Sequence, residues 1–137
     1  EAPREGNDSS CVLRVSAGAY SLLLTGDIEA SAERELLQRD VALGANVVVV
    51  PHHGSTTSSS APFVASVDPG IAVVSAGYAN RWGFPKPLVV SRWQDAGAEL
   101  LNTGASGAVT VRVCADRGVV KLGTERERRR RFWHAKP

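Results

Sequence analysis

A chain of 137 residues with 43% hydrophobic and 22% charged side chains has the composition of one ordinary globular unit and is not disordered by composition. Such a chain is long enough to bury roughly two thirds of its extended surface. No uninterrupted apolar run approaches the length of about 20 residues that crosses a bilayer, and no secretory signal pattern opens the chain, so no membrane span is expected within this piece. The formal charge of +2 is modest, and much of the positive charge lies in the C-terminal tail.

The first eight residues are polar and expected to be loose. Cys11 to Ser16 alternates as a strand, Gly18 turns it, and Tyr20 to Leu24 returns as the second arm of a hairpin. Ile28 to Asp40 reads as a helix with Ala30, Leu37 and Val41 on one apolar stripe and Leu36 beside it. Glu35 stands four residues before Arg39, an ion pair for the wet face, and Gly44 is expected to end the helix. The four valines from Val47 to Val50 are too few to favour a helix and too apolar to face water on either side, so they read as a central strand of a covered sheet.

Pro51 stops that strand. Ser60 is placed to cap a short helix with Pro62 in its first turn, and Asp68, Pro69 and Gly70 stop it. Ile71 to Ser75 is a further buried strand, followed by a loop from Gly77 to Lys86. Pro87 opens a helix over Leu88 to Ala96, and Gly97 closes it. Glu99 to Asn102 is a strand, Thr103 to Gly107 a turn, and Ala108 to Cys114 with Val119 to Leu122 a last hairpin. Strands alternating with helices from 46 to 102 give a largely parallel α/β half-sheet with covered faces, edged by antiparallel hairpins. Cys11 and Cys114 form an even count without metal-like spacing and read as either buried thiols or one disulfide, with their strand-like settings favouring buried thiols.

Two strand ends carry the chemistry. In NVVVVPHHGSTTSSS, His52 and His53 sit where a buried strand leaves its sheet, the edge at which open α/β sheets place ligands. Gly54 allows close backbone approach, and Ser55 adds a hydroxyl. In YSLLLTGDIE, Asp27 stands at the end of another apolar strand, where it also reads as the N-cap of the helix that follows. A carboxylate and two imidazoles at the ends of two buried strands make the ligand mix that suits zinc or manganese. Between Gly77 and Lys86, Tyr78, Asn80, Arg81 and Trp82 crowd together. Such a cluster is able to stack a base and hold a phosphate, and Trp82 equally reads as simple surface packing.

Taken together and in this order, LLLTGDIEASAERELL, NVVVVPHHGSTTSS and AVVSAGYANRWGFP resemble the C-terminal half of the metallo-β-lactamase-fold domain of ComEC-type DNA-internalisation competence proteins. NDSSCVLRV is similar to that domain's strand before the TGD turn, and RRRRFWH to the close of proteobacterial members, so the resemblance runs from Asn7 to His134. It implies an αββα sandwich of which this chain supplies the C-terminal half, a mixed sheet with covering helices over residues 1–124 and a basic tail over 125–137. It further implies that Asp27 bridges two metals, that His52 and His53 share metal-binding and catalytic roles, and that Asn80 and Arg81 lie beside the substrate with Ser55.

Two departures stand out. Where relatives often carry a histidine after the glycine of the substrate loop, this chain has Phe84. The HxHxDH motif that supplies most of the ligands belongs to the N-terminal half of the domain and does not occur here. The expectation is therefore a divalent metal, Zn or Mn, held in the complete domain and weakly or not at all by this chain alone. The implied function is metal-dependent phosphodiester hydrolysis of incoming DNA, single- or double-stranded. The alternatives are a non-catalytic nucleic-acid-binding module and a hydrolase of a small phosphodiester. The implied partners are DNA, the other half of the domain and the membrane channel of an inner-membrane parent, whose soluble domain this would be, on the periplasmic or extracellular face. An apolar face left bare by the missing half would favour self-association. The tail's Arg126 and Arg128, Arg129, Arg130 and Arg131, followed by Trp133, are the candidate grip on nucleic acid, although Glu125 and Glu127 dilute their charge.

Overall fold

The computed structural model describes residues 6–129 and 131. A mixed sheet of five strands in the order β1-β2-β3-β4-β5 forms the body, built from β1 (Leu13–Ala17), β2 (Tyr20–Leu24), β3 (Val47–Val49), β4 (Ile71–Val74) and β5 (Glu99–Asn102). β1 pairs antiparallel with β2 as the expected hairpin, and every later neighbour is parallel. Parallel neighbours require crossovers, and these are α1 (Ala30–Gln38), α2 (Ala61–Val67) and α3 (Pro87–Asp95). The chain then makes one helical turn, α4 (Thr103–Ser106), a second antiparallel pair, β6 (Val109–Cys114) and β7 (Gly118–Thr124), and a closing turn, α5 (Glu125–Arg128).

Strand parity decides what each face of the sheet meets. Leu23, Val48, Ala72 and Val74 point to one side and form a single buried cluster with Ile28 and Ala32, with Phe63, Val64 and Val67 of α2, and with Val89 and Trp93 of α3. The opposite face carries Leu22, Leu24, Val47, Val49, Ile71 and Val73, and register extends it to Leu13 and Val15 of β1. On that side β6 packs against β1 and β2, while Leu13 and Val15 stay 54% and 47% exposed.

Three expectations need correction. Helix α1 ends at Gln38, with Asp40 left-handed at φ 52°, so Gly44 does not terminate it, and Val41 lies in the following loop with 44% exposure rather than on an apolar stripe. Glu33, a charged residue, is fully buried instead, because its carboxylate accepts the backbone N–H groups of Ser59 (2.5 Å) and Ser60 (2.8 Å) at the start of α2. Those amides precede or open a helix and have no intrahelical acceptor, so the capping expected of the Ser60 hydroxyl is supplied from across the fold. Cys11 is an exposed free thiol and Cys114 a half-buried one, because β1 is an edge strand and the preceding segment has little above it. The Glu35–Arg39 ion pair forms as expected.

Candidate functional site

Every candidate residue on the sheet comes from the C-terminal ends of parallel strands, the side on which open α/β sheets bind ligands. The turn after β2 and the turn after β3 are stitched together by a backbone bond from His52 N–H to the carbonyl of Gly26 at 3.2 Å. This bond joins the TGD segment to the PHHG segment and brings Asp27 alongside the histidines. Asp27 is not a helix cap. The N-cap of α1 is Glu29, whose amide is taken by Asp8 at 2.7 Å, and the other Asp8 carboxylate oxygen accepts from Ser31. The carboxylate of Asp27 is thereby left to the site.

His52 and His53 are consecutive residues in left-handed backbone, at φ 48° and 55°. Two adjacent non-glycine residues there store roughly 1 to 3 kcal/mol of strain each, which the surrounding contacts have to outweigh and which tends to mark functional positions. The geometry turns the two rings to different partners. His53 Nδ1 lies 2.6 Å from the carbonyl of Ser75 at the end of β4. A carbonyl only accepts, so Nδ1 carries a hydrogen and Nε2 is the nitrogen turned to the site. That Nε2 faces Asp27 Oδ1 across 3.6 Å. His52 instead places Nδ1 3.2 Å from Glu29 Oε1 and 3.2 Å from Thr57 Oγ1, with Nε2 3.4 Å from Asn7 Nδ2. Because Glu29 only accepts, His52 donates from Nδ1 and accepts from Asn7 at Nε2, and both of its nitrogens are engaged.

The 77–86 loop closes over these two turns. Asn80 staples it, accepting from Phe84 N–H at 2.9 Å and donating to the carbonyls of Phe84 (2.8 Å) and Gly77 (3.0 Å). The loop docks on the histidine turn through Lys86 N–H to Gly54 carbonyl at 2.9 Å. Gly54 is required there, since its φ is +83° and a Cβ would stand 2.6 Å from Pro85 Cβ. The docking sets the Phe84 ring edge-on to His52 (5.9 Å between centroids) and near-parallel to His53 (6.5 Å).

The result is an open cavity of about 600 Å³ lined by Asp27, His52, His53, Ala76, Asn80, Trp82 and Phe84 among others. Ser55 is buried beneath it and bonded to Thr57 at 3.0 Å, so it shapes the turn rather than the cavity wall. Arg81 lies outside the lining and stacks on Trp82, its guanidinium carbon 4.3 Å from the ring centroid. Arg128, Arg129 and Arg131 are exposed, Arg129 lies 3.2 Å from Glu125, and Arg130 and Trp133 fall outside the described residues.

Asp27 and His53 fit one divalent ion in kind and spacing. Two donors about 2.1 Å from a tetrahedral ion lie roughly 3.4 Å apart, and a histidine whose other nitrogen donates to a carbonyl is the usual ligand arrangement. Among the described residues, no group of three or more His, Cys, Asp or Glu side chains is gathered in a way that would hold a metal.

No known family model matches the chain. Curated relatives do. The chain is 42% identical to competence protein ComA of Neisseria gonorrhoeae over 97% of its own length, and 40% identical to recombination protein 2 of Haemophilus influenzae over 83%. It is 34% identical to ComE operon protein 3 of Bacillus subtilis over 80%. This chain is related to competence proteins. It spans only 14% to 19% of the length of these relatives, matching one segment of each. Among its described residues, no helix is long and apolar enough to cross a membrane.

Proposed function

We propose that this chain forms the C-terminal half of a metallo-β-lactamase-like domain of a ComEC-type competence protein, and that the complete domain hydrolyses phosphodiester bonds of DNA during uptake. The observation that carries the reading is the pair formed by Asp27 and His53, held 3.6 Å apart at adjacent strand ends with the far side of the imidazole anchored on Ser75. Asp27 and His53 would hold a divalent Zn or Mn ion, which would supply Lewis acidity toward a phosphodiester there. The chain's own residues do the rest of the positioning. Ser75 fixes which nitrogen of His53 faces the site, and Phe84 and Trp82 give it an apolar wall that strengthens charge interactions within it. His52, tied to Glu29 and Asn7, presents its ring from the side and holds the turn in place. The remaining ligands would come from the N-terminal half, whose sheet would cover the half-bare face carrying Leu13 and Val15. DNA and the membrane channel of an inner-membrane parent complete the proposed partners, with this domain on the periplasmic or extracellular side.

A second reading is favoured by the small donor set and by Phe84, which neither binds metal nor moves a proton. It is a nucleic-acid-binding segment without hydrolytic activity. Metal content after dialysis, measured together with nucleotide release from DNA, separates the two when applied to this chain and to a protein carrying both halves of the domain. The hydrolytic reading expects weak metal retention and no turnover by this chain alone, and both in the longer protein. Longer protein that retains metal without cleaving DNA would leave the binding reading.

A further inference from the structure

From the wall of the candidate metal site a row of flat groups runs outward, and the hydrolytic reading uses only the apolar character of its inner members. Phe84 lies near-parallel to His53, Trp82 lies parallel to Phe84 with an 11° interplanar angle and 6.4 Å between centroids, and Arg81 covers Trp82 at 4.3 Å. The row therefore leads outward from the imidazole that faces Asp27. Trp82 is 56% exposed and Tyr78, in the same loop, is 64% exposed. Around Phe84 a second cavity of about 390 Å³ opens between Tyr78, Pro85, Asn102 and Gly104. Three cations stand over these rings: Arg81, Lys86 with Nζ 5.4 Å from the Phe84 centroid, and Arg126 with its guanidinium carbon 5.4 Å from the Tyr78 centroid.

Large exposed aromatics gain nothing in water, and the loop holding them is braced by three Asn80 hydrogen bonds and by its docking on Gly54. Both cavities fall within the range of about 300 to 1,000 Å³ typical of small-ligand sites. Exposed rings with cations set against them match one chemistry, a strand of unpaired bases on a phosphate backbone. A duplex keeps its base faces stacked on one another and has none to offer.

We infer that the 77–86 loop is a stacking platform for the unpaired bases flanking the phosphate at Asp27 and His53, with Trp82 and Tyr78 as base contacts and Arg81, Lys86 and Arg126 as phosphate contacts. This makes the preferred ligand a single strand, and it rests on the proposal that a phosphodiester occupies the adjoining site. Stacking is tolerant of base identity, so the platform selects strandedness and not sequence.

The test is fluorescence anisotropy with this chain and three labelled probes of equal length: a single strand of thymidines, the same backbone without bases, and a duplex. The parent chain should prefer the base-bearing strand over both others. Trp82→Ala should weaken that binding roughly 5- to 100-fold at every salt concentration, with the dependence on salt kept, while Trp82→Phe restores most of it. Binding of the abasic strand should not respond to either change. Equal affinity for abasic and base-bearing strands, preference for the duplex, or an equal loss on both single strands in Trp82→Ala would overturn the platform. Cleavage by a protein with both halves of the domain separates this from the hydrolytic reading. Base-dependent binding through Trp82 without hydrolysis removes the nuclease and leaves the platform, whereas hydrolysis whose kcat and KM ignore Trp82→Ala removes the platform and leaves the nuclease.

Discussion

His53 donates from Nδ1 to the carbonyl of Ser75 across 2.6 Å, and that bond aims the opposite nitrogen at Asp27. It ties the end of β3 to the end of β4, so the tautomer of the imidazole is set by a strand that carries no titratable group of its own. The carboxylate it faces is free for the site because α1 is capped by Asp8 from outside the helix.

This separation of roles makes Asp27→Asn informative. Since Asp27 neither caps α1 nor lies in the core, the substitution should change stability by no more than about 0.5 kcal/mol. In a protein with both halves of the domain it should abolish metal retention, measured by elemental analysis after dialysis. Unchanged metal content would remove Asp27 from the centre.

Gly54→Ala should do the reverse, damaging the architecture while leaving every candidate ligand in place. The added Cβ meets Pro85 at 2.6 Å in backbone that L side chains rarely adopt, so a loss of roughly 1 to 3 kcal/mol in denaturant unfolding is expected. The 77–86 loop should undock with it, visible as loss of the nuclear Overhauser contacts between Phe84 and the two histidines. An unperturbed loop would show that the docking is not what holds the rings together.

Glu33 supplies a core test. Glu33→Ala leaves the amides of Ser59, buried, and Ser60, half-buried, without that acceptor and should cost about 2 to 4 kcal/mol, whereas Glu33→Gln keeps an acceptor and should cost less. Equal midpoints for the two variants in urea would deny that the carboxylate caps α2.

Leu13 and Val15 bear on self-association. They extend the apolar face along an edge strand, so this chain should form dimers or larger species at high concentration, and changing both residues to lysine should return it to monomer. Light scattering that finds a monomer before the change would show that β6 and β7 cover this face sufficiently.

The tail is tested through salt. Each phosphate neutralised on a single strand contributes about −0.7 to the slope of log affinity against log salt, so changing Arg128 to Arg131 together to alanine removes at most about 2.8 from its magnitude. Trp133→Ala should instead weaken binding with the slope kept. An identical slope in the arginine variant assigns those side chains to solvated surface.

The sequence by itself determined the strands, the crossovers and the positions of the site turns. A valine run closed by Pro51, or an apolar run closed by Thr25, Gly26 and Asp27, is a local instruction that needs no distant partner to be read. The mixed sheet follows from alternation of such segments with helices. What each polar side chain does was decided only by tertiary structure. His52 and His53 are neighbours of identical chemistry, and nothing local says that one ring meets Asp27 while the other meets Glu29; the left-handed turn and the positions of Ser75 and Asn7 decide it. The amide of Asn80 became the staple of its loop, and Glu33 entered the core, because orphaned backbone groups elsewhere needed partners there. Unsatisfied N–H and C=O groups belong to the assembled fold and cannot be located before the elements meet.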